Sequence, residues 1–432
     1  MNPRTPMLQT DLQLYVPGKN RVDEFHKYAL RKVKGQCKDV PALWQLAEAL
    51  LNCLKIVWIP LSEKDDPQAI FESLNDKGIP LRASELLCNF IFRPIIEARE
   101  EHENLHNEQW LATIRALGDD DAFEDYLRNL FSIGEPKMVG RFRKVYVHFK
   151  VKNRNLTPTS AKQQLSDIRS SAFLYRNIQK PLDHPHTNNQ LNEVLIAINN
   201  TRMDSSTPFV SSVLRDLASG NLQIDKAEAV LREVLVLLVR RKMSELPTTQ
   251  YDTMFPQLLQ RIQYEPSLER ARHDQFRRHS VWVSDQEFEE ALIHRATYRS
   301  RDLPFSRMLL IEIDKKLQSH GQLPDYTTLN TIEHTLPQTL DAAWKQYLGE
   351  DAGDEHLEVL TNSLGNLCLL SGPANSSVGQ NPFDAKRNAY SPITAIARRV
   401  KELPGPWNLA AIREQSKSLV PHALEIWAWS VV

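Results

Sequence analysis

Residues 226–243 read KAEAVLREVLVLLVRRKM and decide the fold class. Their apolar residues recur at spacings of three and four, which predicts a helix with a broad buried face. Residues 42–57, 286–295 and 304–318 show the same spacing. Strand patterns are few, and residues 58–61 and 330–334 are the short candidates. The predicted fold is therefore mainly α, with one small mixed α/β region near the C-terminus.

The chain length of 432 residues is enough for two or three domains. Its hydrophobic content of 41% and charged content of 25% are ordinary for a globular protein with a real core. We predict an N-terminal piece over residues 1–100, a helical middle region over 101–280 and a C-terminal domain over 281–432. The formal net charge of −1 neither supports nor excludes a nucleic-acid partner, so DNA binding would need local basic patches.

The cysteines are scattered at Cys37, Cys53, Cys88 and Cys368, with no CxxC pair. This spacing argues against a disulfide framework and against a cysteine zinc site, and it favours a reducing compartment. The N-terminus has no basic-then-apolar signal pattern, and no run reaches the ~18 apolar residues that span a bilayer. We therefore expect a cytoplasmic protein with no membrane partner.

The clearest chemical signal lies near the C-terminus. Glu333 and His334 stand in the stretch IEHTLPQ, Asn366 stands in LGNLCLL, and Asn375 and Lys386 follow. An acid–His pair followed by two Asn and a Lys is the order of residues in an HNH-type nuclease site. An isolated Glu–His pair is usually incidental, so the prediction depends on the whole series.

These residue types suit hydrolysis of a phosphodiester. A histidine with a pKa near ~6.5 can deprotonate water at neutral pH. A Mg²⁺-like ion can neutralise the phosphate, and it needs only one or two protein oxygens because it keeps several waters. Glu333 and Asn375 each offer such an oxygen. If residues 330–334 form a strand, Glu333 and His334 point to opposite faces, so one shared site needs a bend or strand end near Pro337.

Two further residues support this prediction. Asn366 lies in an apolar frame, where a buried amide needs partners. Bonding to the backbone around His334 would satisfy it and fix the histidine segment. Lys386 lies on a predicted helix, FDAKRNAY, where it could contact a backbone phosphate of DNA.

The series IEHTLPQ, LGNLCLL and Asn375 to Lys386 resembles the C-terminal HNH domain of the GmrSD-type modification-dependent restriction endonucleases. The resemblance extends from Trp282 to Trp427. It implies a small ββα fold of the HNH (His-Me finger) superfamily that holds one metal, Mg²⁺ or alternatively Mn²⁺. It implies His334 as general base, oriented by Asn366, and Glu333 and Asn375 as metal ligands. The final ligand is Asn here, a variant of the His found elsewhere in the superfamily.

A second motif lies near the N-terminus. Residues 71–81, FESLNDKGIPL, precede an apolar helical pattern over 83–92. A plain helix–turn–helix joint explains this pattern equally well, with Gly78 in the turn. The motif also resembles the closing part of the ParB/sulfiredoxin-like domain that precedes the HNH domain in GmrSD-type proteins.

The Asp-Gly-Gln-Gln-Arg motif that opens this partner domain does not occur in the sequence. We therefore expect an N-terminally truncated member or one half of a split protein, with no nucleotide as cofactor. The expected partners are DNA and a separate N-terminal subunit, or a second copy of the chain.

Residues 137–154, KMVGRFRKVYVHFKVKNR, carry seven Lys or Arg with three aromatic residues between them. Such a stretch can bind nucleic acid, with cations on phosphates and rings stacked on bases. The aromatic residues also fall at helical spacing, which favours an amphipathic helix with a solvated basic face. Residues 270–278 are a weaker basic stretch.

The leading functional prediction is a metal-dependent DNA endonuclease of the HNH type that acts in bacterial defence on foreign or modified DNA. The substrate class comes from the family resemblance. A non-catalytic DNA-binding or regulatory fragment of a split restriction system is the alternative, and an RNA-directed nuclease is a third possibility.

Overall fold

Long helices dominate the protein, as the apolar spacing predicts. The computed structural model describes residues 21–55, 60, 70, 81–95, 99–262, 281–318, 323–390 and 394–429. The chain divides into two compact units, residues 1–78 and residues 79–432. The prediction of a mainly α fold is confirmed.

The first unit contains helices α1 (Arg21–Gln36) and α2 (Val40–Cys53). The side chain of Asp39 accepts a hydrogen bond from the backbone of Ala42, which caps α2 at its N-terminus. The predicted helix over residues 42–57 is thus confirmed as far as residue 53. The predicted strand at 58–61, the N-terminal motif over 71–80 and the basic stretch over 270–278 lie outside the described residues, apart from residue 60.

The second unit begins with a run of helices. They are α3 (Ala83–Phe92), α4 (Arg99–Leu105), a π-helical turn (His106–Leu111), α5 (Ala112–Leu117), α6 (Asp120–Ser132), α7 (Arg143–Lys152), α8 (Pro158–Gln179), α9 (Asn189–Asn200), α10 (Thr207–Ala218), α11 (Ile224–Met243) and α12 (Tyr251–Ile262). Helix α11 contains the residues 226–243 that decide the fold class.

The C-terminal part of this unit combines helices with two short strands. They are α13 (Asp285–His294), α14 (Leu303–Leu317), β1 (Thr331–His334), α15 (Ala342–Leu348), α16 (Leu357–Thr361), β2 (Leu367–Leu370), α17 (Gly372–Val378), α18 (Phe383–Ala389), α19 (Ala395–Glu402) and α20 (Leu409–Ile426). The predicted strand at 330–334 is confirmed. No helix among the described residues is long and apolar enough to cross a membrane.

Among the described residues of the second unit, the buried side chains form three hydrophobic clusters. One spans residues 83–175, one spans 178–281 and one spans 236–427. Helix α11 contributes to the second and third clusters, so the same helix serves the helical region and the C-terminal core. The domain boundaries at residues 100 and 280 stay predictions.

The basic stretch over residues 137–154 forms helix α7 and the segment before it. Val145, Tyr146 and Phe149 are buried, which confirms the core role that their helical spacing favours. Phe142, directly before the helix, is 79% exposed and is the aromatic ring of this stretch that meets solvent.

The core below the two strands is formed by α14, α19 and α20. Helix α14 packs against β2, and α20 packs against the turn at Leu364–Asn366. Gly365 makes this close approach possible, because a Cβ atom there would lie 2.2 Å from the carbonyl oxygen of Ile412. The turn is therefore held directly on the backbone of α20, and it delivers Asn366 to the start of β2.

Candidate active site

Strands β1 and β2 form an antiparallel pair in which Glu333 lies opposite Cys368 and His334 lies opposite Leu367. Strand β2 is buried along its whole length, whereas Glu333 is the one fully buried residue of β1. Glu333 is 4% exposed, and its neighbours Ile332 and His334 are half-buried. The alternation of a β-strand thus sends the Glu333 and His334 side chains to different surroundings.

On the inner face of β1, Glu333 forms a buried ion pair. The ammonium of Lys386, on α18, donates to Glu333 Oε1 at 2.8 Å and to the carbonyl oxygen of His334 at 2.9 Å. The hydroxyl of Tyr390 donates to the same Oε1 at 3.2 Å. Lys386 is fully buried, so its ammonium ties α18 to β1 and does not reach the surface.

Burial and charge act on Glu333 in opposite directions. Burial raises the pKa of its carboxyl above the usual value, and the nearby Lys386 ammonium partly offsets this rise. Burial also raises the pKa of Tyr390 and of the Cys368 thiol. The hydroxyl of Tyr390 therefore stays protonated and remains a hydrogen-bond donor to Glu333.

His334 lies at the end of β1 with a different set of neighbours. Its Nε2 is 3.1 Å from Oδ1 of Asn362, and its ring packs edge-on against Tyr298 with the ring centroids 4.5 Å apart. Burial lowers the pKa of His334 to about 4, and the hydrogen bond with Asn362 opposes this shift. The imidazole is therefore neutral at pH 7, which is the form that accepts a proton.

Asn366 is fully buried, and its side-chain amide forms hydrogen bonds with the backbone of the segment that follows His334. Its Nδ2 donates to the carbonyl oxygens of Leu336 and Thr361 at 2.8 and 2.7 Å. Its Oδ1 accepts from the backbone of Leu336 at 2.7 Å and from the indole of Trp407 at 2.9 Å. The amide contacts the segment that follows His334 and not the imidazole itself.

Asn375 lies on α17, and its side chain contacts the backbone of β1. Its Nδ2 donates to the carbonyl oxygen of Ile332 at 3.3 Å. Its Oδ1 makes no hydrogen bond to any described residue. Asn375 therefore has an oxygen available to a ligand.

The side chains fit a divalent cation only in part. Asn375 offers a suitable oxygen, but the Oε1 of Glu333 is already bonded to an ammonium 2.8 Å away. A second cation beside that ammonium would be repelled by it. Within the described part of the chain, no three His, Cys, Asp or Glu side chains lie where they could hold a metal ion together. As these side chains lie, Oε1 of Glu333 is bonded to Lys386, and the assignment of Glu333 and Asn375 as joint metal ligands stays a prediction.

The structure thus brings Glu333 and Lys386 into direct contact, although the sequence assigns them to a metal and to DNA. It places Asn366 beside the His334 segment, where the sequence predicts it. The sequence motifs miss Asn362, which contacts His334, and Tyr390, which contacts Glu333. Asn362 stands 28 positions after His334, and no local pattern links the two residues before the chain folds.

Comparisons with known proteins bear on the same region. A comparison with curated proteins gives no match. Residues 282–421 match the family model described as GmrSD restriction endonucleases, C-terminal domain. This range begins at Trp282, where the resemblance in the sequence also begins, and it includes every candidate site residue from Glu333 to Lys386. Residues 282–421 of the chain are therefore similar to the C-terminal domain of the GmrSD restriction endonucleases.

Proposed function

We propose that the protein is an HNH-type endonuclease that hydrolyses phosphodiester bonds in foreign or modified DNA as part of bacterial defence. The observation that carries this proposal is the environment of His334 within the matched domain. Its imidazole is neutral at pH 7, and the backbone is anchored at His334 by Lys386 and at Leu336 by Asn366. A fixed imidazole in its proton-accepting form can act as a general base. The order β1, β2 and α17 agrees with a ββα arrangement.

In this mechanism His334 takes a proton from water. The water oxygen forms a new bond to phosphorus in line with the leaving group, and the bond from phosphorus to the 3′ oxygen breaks. Asn366 fixes the segment that follows the base, and the Lys386 bond to the His334 carbonyl fixes the strand end. These contacts limit the movement of the imidazole relative to the phosphate, which favours a productive geometry.

A divalent ion, Mg²⁺ or Mn²⁺, belongs to the proposal because of the family. When bound, such an ion supplies positive charge to the phosphate and to the leaving oxygen. Asn375 has the free oxygen that suits this role, whereas Glu333 would first have to leave Lys386. Lys386 would likewise have to leave Glu333 before it could contact DNA. No step of the proposed mechanism depends on either change, and no nucleotide is proposed as a cofactor.

The buried pair of Glu333 and Lys386 also favours a second candidate function. In this candidate function Glu333 stays bonded to Lys386, the domain holds no metal ion, and it binds DNA without cutting it. In that case the chain is a regulatory or DNA-binding fragment of a split restriction system, and its partner is a separate subunit or a second copy.

Cleavage of supercoiled plasmid DNA tests these two functions. Modified and unmodified plasmids are incubated with Mg²⁺ or Mn²⁺, with and without EDTA, beside duplex DNA and single-stranded RNA of equal length. We expect DNA nicking that EDTA abolishes and that is lost in His334→Ala. His356→Ala is the matched control, because His356 is exposed and its ring lies 3.6 Å from the carboxylate of its neighbour Glu355.

The outcomes separate the hypotheses. A folded His334→Ala protein with normal cleavage refutes the role of His334. DNA binding without cleavage in either metal, by a protein with a native circular dichroism spectrum, favours the regulatory fragment. Cleavage confined to the RNA overturns the choice of DNA as substrate.

A further inference from the structure

A polar network on the outer side of β1 contains a residue with no assigned role, Asn362. Its Oδ1 lies 3.1 Å from Nε2 of His334 and accepts a hydrogen bond from Nε2 of Gln338 at 2.8 Å. Its Nδ2 donates to the carbonyl oxygen of Glu358 at 2.9 Å. Asn362 lies directly after α16, one turn beyond Glu358, so the backbone of that helix holds the amide in place.

These contacts fix which end of the amide faces the histidine. The nitrogen and oxygen of an amide are distinguished by the partners they meet. A carbonyl oxygen, such as that of Glu358, only accepts, so it must face the Nδ2 of Asn362. The oxygen of Asn362 is then turned towards His334, and the donor from Gln338 agrees with this orientation.

An oxygen that faces an imidazole with a single ring hydrogen selects one tautomer. Asn362 Oδ1 can only accept, so a hydrogen bond with His334 requires the hydrogen on Nε2. The lone pair is then on Nδ1, which makes no hydrogen bond to any described residue. The other tautomer would place two acceptors 3.1 Å apart, which is unfavourable for both groups.

We propose that Asn362 is a positioning residue that holds His334 in the tautomer with hydrogen on Nε2, so that Nδ1 is the nitrogen that takes the proton from water. The catalytic part of this role rests on the proposed nuclease function. Gln338 supports the arrangement, since it binds the same oxygen and limits rotation of the amide.

The tautomer is measured directly by nitrogen NMR on the full chain labelled with ¹⁵N-histidine at neutral pH. The chain has 13 histidines, so the His334 signals are assigned by their loss in His334→Gln. We expect the hydrogen on Nε2 in the wild type. Asn362→Ala should shift the population towards hydrogen on Nδ1, and Asn362→Asp should keep it on Nε2, because a carboxylate also accepts.

Asn381→Ala is the matched control. Asn381 is exposed and donates to the backbone carbonyl four residues earlier, as Asn362 does, but it does not contact His334. The control should leave the His334 tautomer unchanged. Circular dichroism of each variant shows whether the fold is kept, and Asn362→Asp decides the proposal if Asn362→Ala fails to fold.

Cleavage provides the second measurement. Asn362→Ala should lower kcat by on the order of 10–100-fold with little change in KM, and Asn362→Asp should recover most of the loss. An unchanged tautomer in folded Asn362→Ala, or a wild type with hydrogen on Nδ1, overturns the inference. If the tautomer shifts as expected but the wild type cleaves no DNA, the inference about Asn362 holds and the proposed nuclease function fails.

Discussion

Removal of the Lys386 ammonium tests whether the Glu333–Lys386 pair is a permanent part of the core. Lys386→Met keeps most of the side-chain volume and leaves the Glu333 carboxylate without its cation. The two side chains are 0% and 5% exposed, and their charged atoms are 2.8 Å apart. Breaking a buried ion pair from one side costs about 3–5 kcal/mol, so we expect a loss of this size in the stability of β1.

The matched control is an ion pair at the surface with the same distance between its charged atoms. Lys417 and Glu414 are also 2.8 Å apart, but their side chains are 54% and 69% exposed. Lys417→Met should cost at most about 1 kcal/mol, because water already screens this pair. The double variant Glu333→Gln with Lys386→Met should lose less than Lys386→Met alone, since no buried charge is left unpaired.

Native-state hydrogen exchange of peptides that cover β1 measures this local stability, which suits a chain of two compact units. The loss should also depend on pH. Without Lys386 the pKa of Glu333 in the folded protein rises further above its unfolded value. The carboxylate then favours unfolding at neutral pH. The deficit shrinks as the pH falls through the raised folded pKa, and it vanishes below about 4.3, where the group is protonated in both states.

A loss below about 1 kcal/mol, equal to that of Lys417→Met, would refute this reasoning. It would mean that the Glu333–Lys386 contact opens readily in solution. Glu333 would then be available to a metal, and Lys386 to a phosphate, in the roles that the sequence predicts for them. Faster exchange of β1 in the wild type on addition of Mg²⁺ would point in the same direction.

Two further substitutions and one titration probe the frame of the site. Gly365→Ala should destabilise the domain by about 1–3 kcal/mol in urea unfolding, because the new Cβ meets the Ile412 carbonyl, whereas Gly353→Ala, with open space around it, should not. Asn366→Ala should also cost about 1–3 kcal/mol or more by the same measurement, because a buried backbone N–H and an indole N–H lose their acceptor. In an NMR titration, His334 should show a pKa of about 4. Its pKa in the unfolded chain is higher, so the contribution of His334 to the free energy of unfolding is complete above pH ~6.5 and declines as the pH falls.

Periodicity predicted the helices well because it depends on local spacing. Residues 226–243 form the main part of α11, and the stretches at 286–295 and 304–318 correspond to α13 and α14 within one residue. The prediction of β1 also depended on a local pattern, because its strand residues lie directly beside the turn residues that follow them. In each case the side chains that determine the element lie within a few positions of each other, and packing reinforces the local preference.

The partners of the site residues were harder to predict because they come from distant segments. The order of the motif placed Asn366 correctly beside the His334 segment. It gave no indication that Lys386 meets Glu333 from 53 positions away, or that Asn362 rather than Asn366 meets the imidazole. A linear motif records which chemical groups are present, but the distances between those groups depend on how α16, α18 and β1 pack.

Strand geometry connects these observations. Glu333 and His334 are neighbours on β1, and a strand sends neighbouring side chains to opposite faces. One face is the dry core, where a carboxylate is stable only with a cation, and Lys386 supplies it. The other face is half-buried, and there Asn362 meets the imidazole. Because the ammonium of Lys386 also binds the His334 carbonyl, the ion pair below the strand fixes the position of the imidazole above it. Under the proposed nuclease function, loss of the pair should therefore disturb cleavage as well as stability.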